Sequence, residues 1–191
     1  MEFTPTPIER IIKLFQDIHP LDQVPRAGYV LRGVPHPESV AAHSHFMSLL
    51  ALLMLETHPD GFDREKTLAM ALVHDLSEAR IMDIPMPYAD AYLKQAKTEA
   101  EQAIIEDMLG GVSPRLATLH QEFIDASSPE ARLLRGLDKA QMMLKILCYE
   151  REHRGRLEEF WLNPKNFNDF GIAAVSQLFD AICAHAGKKR P

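Results

Sequence analysis

Two histidines and two aspartates stand where helical periodicity calls for hydrophobes. The pair His74-Asp75 follows an apolar stripe at 68, 71 and 72, and continuing that stripe lands on Asp75 and Ala79. His43 falls on the face made by Val40, Met47, Leu50, Ala51 and Met54, and Asp138 lies beside the stripe Leu133, Leu137, Ala140, Leu144 and Leu147. A carboxylate turned inward needs a cation, a set of donors or a metal. A single inward histidine is usually a hydrogen-bonded core residue. Two of them with two inward acids, drawn from separate helices, read as a ligand set. Two imidazoles and two carboxylates suit one borderline divalent ion: Mn, Co, Ni, Fe or Zn. With four protein ligands an octahedral ion keeps positions for water and substrate, as hydrolysis requires. Glu78 lies three residues past Asp75 on nearly the same helical face, within reach of a water to deprotonate.

These residues have to be positioned by helices, because almost every long segment has helical period. Thr6-Pro7 with Glu9 is a capping box, followed by one apolar face at Ile8, Ile11, Ile12, Phe15 and Ile18. Residues 20–37 form a proline- and glycine-rich loop of the kind that often carries function. A second helix starts near Ser39 and stops near His58-Pro59-Asp60-Gly61; Asp63 caps a third, which is expected to contain the His-Asp pair. Further helices are predicted over 89–109, 113–126, 128–152 and 168–185. No alternating strand pattern occurs. The expectation is an all-α bundle of six to eight helices in one domain spanning 1–191, with its core in about 10–170 and a disordered tail at 188–191. His45 points away from His43, so it and His36 are not expected to be ligands; His120, His153 and His185 receive no role.

Composition narrows the partners. A chain of 191 residues with 46% hydrophobic and 25% charged residues reads as an ordinary globular protein. Its net charge of -6 offers no basic surface to nucleic acid or to an acidic membrane. No apolar run looks long enough to span a bilayer, and Glu2 argues against a signal peptide. Cys148 and Cys183 make no zinc pattern and are expected to be small core residues in a reducing, cytoplasmic compartment.

Several segments, in this order, resemble one known family. PESVAAH at 37–43, HDLSE at 74–78, DIP at 83–85, LDK at 137–139 and Tyr149-Glu150 are similar to the HD-domain metal-dependent phosphohydrolases. PRAGY at 25–29 resembles the Arg-x-Gly-Trp segment of their 5′-deoxynucleotidase branch. The resemblance covers residues 10–170 and implies an HD-type helical bundle. It further implies a phosphomonoesterase acting on nucleoside 5′-monophosphates, with 2′-deoxyribonucleotides preferred, and a homodimer. Under it His43, His74, Asp75 and Asp138 are the metal ligands, Glu78 and Asp83 are catalytic, and Arg26, Tyr29 and Lys139 contact substrate. The competing expectations are another phosphorylated substrate or a non-catalytic metal- or nucleotide-binding module. Three positions depart from the pattern: Ala42 replaces an acid before the first histidine, Met82 replaces a glycine, and Tyr29 replaces the tryptophan.

Overall fold

In a computed structural model, residues 5–58 and 61–191 are described; Glu2 and the expected helix stop at Pro59-Asp60 lie outside them. The chain is helical throughout. In order come α1 (Pro7–Ile18), α2 (Ala27–Val30), α3 (Val40–Thr57), α4 (Arg64–Val73), α5 (Glu78–Ile81), α6 (Met86–Tyr88), α7 (Lys94–Leu109), α8 (Pro114–Asp125), α9 (Pro129–Arg151), α10 (Glu158–Leu162) and α11 (Ala173–Ala186). Seven of these run ten residues or more. Among the described residues no strand forms; one isolated bridge joins Pro25 to Ser39.

The helix starts follow the local chemistry. The Thr6 hydroxyl accepts from the Glu9 amide at 3.2 Å, while Glu9 accepts the Thr6 amide at 2.7 Å. Ser39, Asp63 and Ser128 each accept an amide three residues on, at 3.2, 2.9 and 3.1 Å. Such caps satisfy donors that a helix cannot bond internally, each contributing about 1 kcal/mol.

The core is built on α9, whose buried Leu133, Leu134, Leu137, Ala140, Met143 and Ile146 meet α3, α4, α8 and α11. Because α3, α4 and α9 pack on one another, the faces carrying His43, His74 and Asp138 converge. Gly136 allows α11 to approach closely: a Cβ there would lie 2.8 Å from Val175 Cγ1. Val175 is fully buried and β-branched, so it has little freedom to move aside. Gly136→Ala gains about 1 kcal/mol of helix propensity but overpacks by about 1–3 kcal/mol. A net destabilisation of about 0–2 kcal/mol is expected, read as a lower urea midpoint at unchanged slope.

Several expectations are corrected. The His-Asp pair lies just beyond α4, not inside a helix: α4 ends at Val73, and a turn over 74–77 leads into α5. The helix expected over 89–109 begins with a π-helical segment at Ala89–Leu93. The last helix starts at Ala173, after a 3-10 turn at Pro164–Phe167. The apolar face of α1 points outward, with Ile8, Ile11, Ile12 and Phe15 between 52% and 70% exposed, while Leu14 and Ile18 hold the helix to the body. The tail is pinned: Arg190 bonds Ser176 Oγ at 2.7 Å and Asp169 Oδ2 at 3.0 Å and lies over the Phe179 ring. Cys183 is buried as expected, but Cys148 is exposed because it falls on the outer side of α9. Finally, Val40–Thr57 is by length and composition apolar enough to cross a membrane, since Phe46, Leu49 and Leu53 stay apolar on the outer face. Its other face buries His43, Met47, Ala51 and Leu55 in the core.

Candidate metal centre

α3, the turn after α4, and α9 bring the predicted ligands together. His43 Nε2 lies 3.2 Å from Asp138 Oδ1 and 3.6 Å from Asp75 Oδ2. His74 Nε2 lies 3.1 Å from Asp75 Oδ2. Ligand atoms of His43, His74 and Asp75 all fall within 4.8 Å of one another; Asp138 joins this group from the His43 side. Both imidazoles are buried.

The hydrogen-bond network fixes which face each imidazole offers. Gln141 Nε2 sits 3.2 and 3.3 Å from the two oxygens of buried Glu38. A carboxylate only accepts, so the amide nitrogen belongs on that side and Oε1 faces His43 Nδ1 at 2.7 Å. That oxygen also only accepts, so His43 Nδ1 carries the proton and Nε2 presents a lone pair. His74 reaches the same state by another route, since Nδ1 donates to the Ala71 carbonyl at 2.8 Å. Both Nε2 atoms are buried without a hydrogen-bond partner, and they face carboxylate oxygens. Lone pairs aimed at lone pairs are unfavourable unless a cation lies between them. The donor set therefore fits a divalent metal. Although Ala42 provides no acid before His43, its orienting partner is not missing, because Gln141 and Glu38 perform that task. Gln141→Leu takes from buried Glu38 one of its two side-chain partners, leaving Lys145 at 3.6 Å, and lets the His43 ring turn. Metal affinity is expected to fall about 10–100-fold, measured by calorimetric Mn titration.

The charges around the centre oppose one another. Burial works against ionising Asp75, but His74, His43 and Arg26 outweigh it and hold its carboxyl well below the usual range. Lys139, His43 and Arg26 do the same for Asp138, again against burial. Burial also works against a charged His74, yet Asp75 raises its pKa. Glu78 differs: burial and the neighbouring Asp75 push its pKa well up, with Arg26 opposing. Its Oε2 has no hydrogen-bond partner.

Arg26 sits amid this group, with Nη1 3.6 Å from Asp75, 3.9 Å from Glu78 and 3.4 Å from Asp83, and Nη2 3.9 Å from Asp138. Asp83 accepts the Ala27 amide at 2.6 Å, tying its loop to the start of α2. The preceding Met82 has φ 66°, the conformation that its glycine-like position calls for. Lys139 lies 3.6 Å from Asp138. Tyr29 lines the same cavity but is only 2% exposed; its hydroxyl bonds the Met142 carbonyl and its ring packs edge-on against Tyr149. His45 and His36 are exposed and outside the cluster.

The centre opens into a cavity of about 760 Å³, whose lining also includes Phe160, Asn163 and Asn166. Sequence reasoning missed Gln141, Glu38, Lys97 and His120. Gln141 had a signal, as a polar residue one turn after Asp138. His120 is buried, and burial lowers its pKa to about 4, so it is a neutral ring behind His74.

Comparison with known proteins agrees with this site. Residues 18–167 match the HD domain family. The chain is 32% identical over 164 residues to "5'-deoxynucleotidase HDDC2" of Danio rerio, covering 83% of this chain and 80% of the relative. It is 32% identical over 157 residues to the Homo sapiens protein of the same name, covering 79% and 74%. Among solved structures, a conserved hypothetical protein from Pyrococcus furiosus superposes with a TM-score of 0.77 at 33% identity, covering 92% of this chain and 99% of that one. With the family matched over most of its length, this chain belongs to the HD domain family.

Proposed function

We propose that the protein is a metal-dependent phosphomonoesterase that hydrolyses nucleoside 5′-monophosphates, 2′-deoxyribonucleotides above others, to nucleoside and orthophosphate. The observation that carries this reading is the pair of imidazole Nε2 atoms fixed as lone-pair donors beside Asp75, with Glu78 next to them at the floor of a nucleotide-sized cavity. The names of the relatives above support the substrate class.

In this reading His43, His74, Asp75 and Asp138 hold one divalent ion, of which Mn, Co, Ni, Fe and Zn all suit the donors. When bound, such an ion supplies Lewis-acid charge that acidifies water and neutralises phosphoryl oxygens. The chain's own residues do the rest. Glu78, with its pKa raised by burial and Asp75, accepts the proton of the attacking water on its carboxylate. Arg26 offers a planar fork to the phosphoryl oxygens, and Lys139 adds a second cation. Asp83 orients Arg26 and the start of α2, so the phosphate meets a preset geometry. Tyr29 and Phe160 form the aromatic side that a nucleoside would meet.

A homodimer acting in the cytoplasm belongs to the same reading. The outward apolar face of α1 supports the dimer, and sedimentation at micromolar concentration tests it. The free cysteines support a reducing compartment, tested by fractionating the source cells. The activity itself is tested with ribo- and deoxyribonucleoside 5′-monophosphates plus Mn or Co, reading orthophosphate release. Deoxynucleotides should turn over fastest. Absence of release from every monophosphate by metal-loaded protein would overturn the reading.

A further inference from the structure

Helix α7 carries an inward stripe whose chemistry changes along its length. At its C-terminal end Ile105, Met108 and Leu109 are buried in an apolar cluster. One to three turns earlier the same stripe reads Glu101, Lys97 and Lys94, and these three line the cavity. The switch from apolar to charged occurs where the cavity opens. A helix that served stability alone would continue the apolar face, because replacing an ion pair of this kind with hydrophobes is often neutral or stabilising.

The pair itself is well defined. Lys97 Nζ donates to Glu101 Oε1 at 2.7 Å, and Glu101 is 7% exposed. Lys97 lines the same cavity as Asp75 and Glu78, and these two with Glu101 favour its charge while burial works against it. The arginines of the cavity are more committed. Arg26 is surrounded by four carboxylates. Arg32 pairs with Glu159, and Arg135 lies against the Phe123 and Phe170 rings and bonds the Ile124 carbonyl. Lys97 has three donor positions and a single paired acid, and Lys94 at the exposed mouth has no ion-pair partner among the described residues.

We propose that the cavity-facing side of α7 is an anion subsite for the phosphoryl group, with Lys97 as its inner donor and Lys94 as its outer cation. It grips phosphate from α7, separately from Arg26 in the loop before α2, while Glu101 holds the Lys97 stem in place. Only the identity of the anion as a phosphomonoester rests on the activity proposed above.

The test is calorimetric binding of inorganic phosphate to Mn-loaded protein, with metal content measured for each variant. Lys97→Met keeps the stem packing and removes the charge. Phosphate affinity is expected to fall about 10–100-fold with metal content unchanged, while the thermal midpoint drops because Glu101 loses its ion-pair partner. Lys97→Arg should restore it to within about threefold. Lys94→Ala, on the exposed turn, should weaken binding about threefold. KM for a 5′-monophosphate should follow the phosphate affinities. A Lys97→Met protein that binds phosphate as tightly as the parent overturns the proposal, and so does a parent that binds none. If the parent hydrolyses no monophosphate but binds phosphate in a Lys97-dependent way, the activity falls and the subsite stands. If the parent hydrolyses nucleotides and Lys97→Met matches it in both assays, the subsite falls and the activity stands.

Discussion

Glu78→Gln is expected to lower turnover about 10²–10⁴-fold while leaving the metal in place. The substitution keeps the shape of the side chain and removes an acid beside the ligand cluster whose pKa is pushed up by burial and Asp75. The ligand atoms of His43, His74 and Asp75 are untouched, so metal content by elemental analysis should match the parent. Stability should move the other way. A buried carboxyl whose folded pKa is raised binds its proton more tightly in the folded state. Its contribution is therefore lost as pH rises from the unfolded value near 4.5 towards the folded one. Glutamine removes that loss, so the thermal midpoint at neutral pH should rise as activity falls. Loss of metal together with activity would assign Glu78 to holding the ion instead.

His74→Ala is expected to abolish activity, by at least about 10³-fold, because the several kcal/mol supplied by the ion depend on this ligand. The ring also packs against Phe123 at 5.2 Å, so the midpoint of the metal-free protein should fall as well. A cleaner readout is the pH dependence of metal affinity. Asp75 raises the His74 pKa, so a proton competes with the ion for Nε2 above the ordinary imidazole range. Without metal, the stability linked to that proton is present below 6.5 and lost as pH rises through the folded value. Mn titrations should accordingly show tighter binding at about pH 8 than at about pH 6, and His74→Ala should show weak binding with little of that trend. Equal affinity of parent and variant would remove His74 from the ligand set.

The convergence of His43 and Asp138 was legible in the sequence because helical period reports which residues face inward and both interrupt otherwise apolar faces, whereas Asp75 lies in a turn where that period does not apply. Period does not report what a face meets. The link from Glu38 through Gln141 to His43 spans residues about a hundred positions apart, and only the packing of α3 on α9 creates it. The α7 stripe was hidden for the same reason: Lys97 and Glu101 look like a solvated i, i+4 pair until the cavity is placed beside them. α1 failed in the opposite sense. Its apolar stripe was readable, but the residues that dock it are Leu14 and Ile18 together with Arg10, which bonds the Gly111 carbonyl, so the stripe itself faces out. The end of α4 before His74 had no breaker residue to announce it; the following turn is set by tertiary contacts.

The left-handed backbone at Met82 bears on how this loop breathes. An L side chain held at φ 66° costs about 1–3 kcal/mol, and that cost disappears whenever the segment lets go of the Ala27 amide. The neighbourhood of Asp83 is thus biased towards brief excursions that a glycine at the same corner would favour less. Exchange of the Ala27 amide with deuterated solvent should be faster here than in Met82→Gly, making the corner a hinge whose looseness one side chain sets.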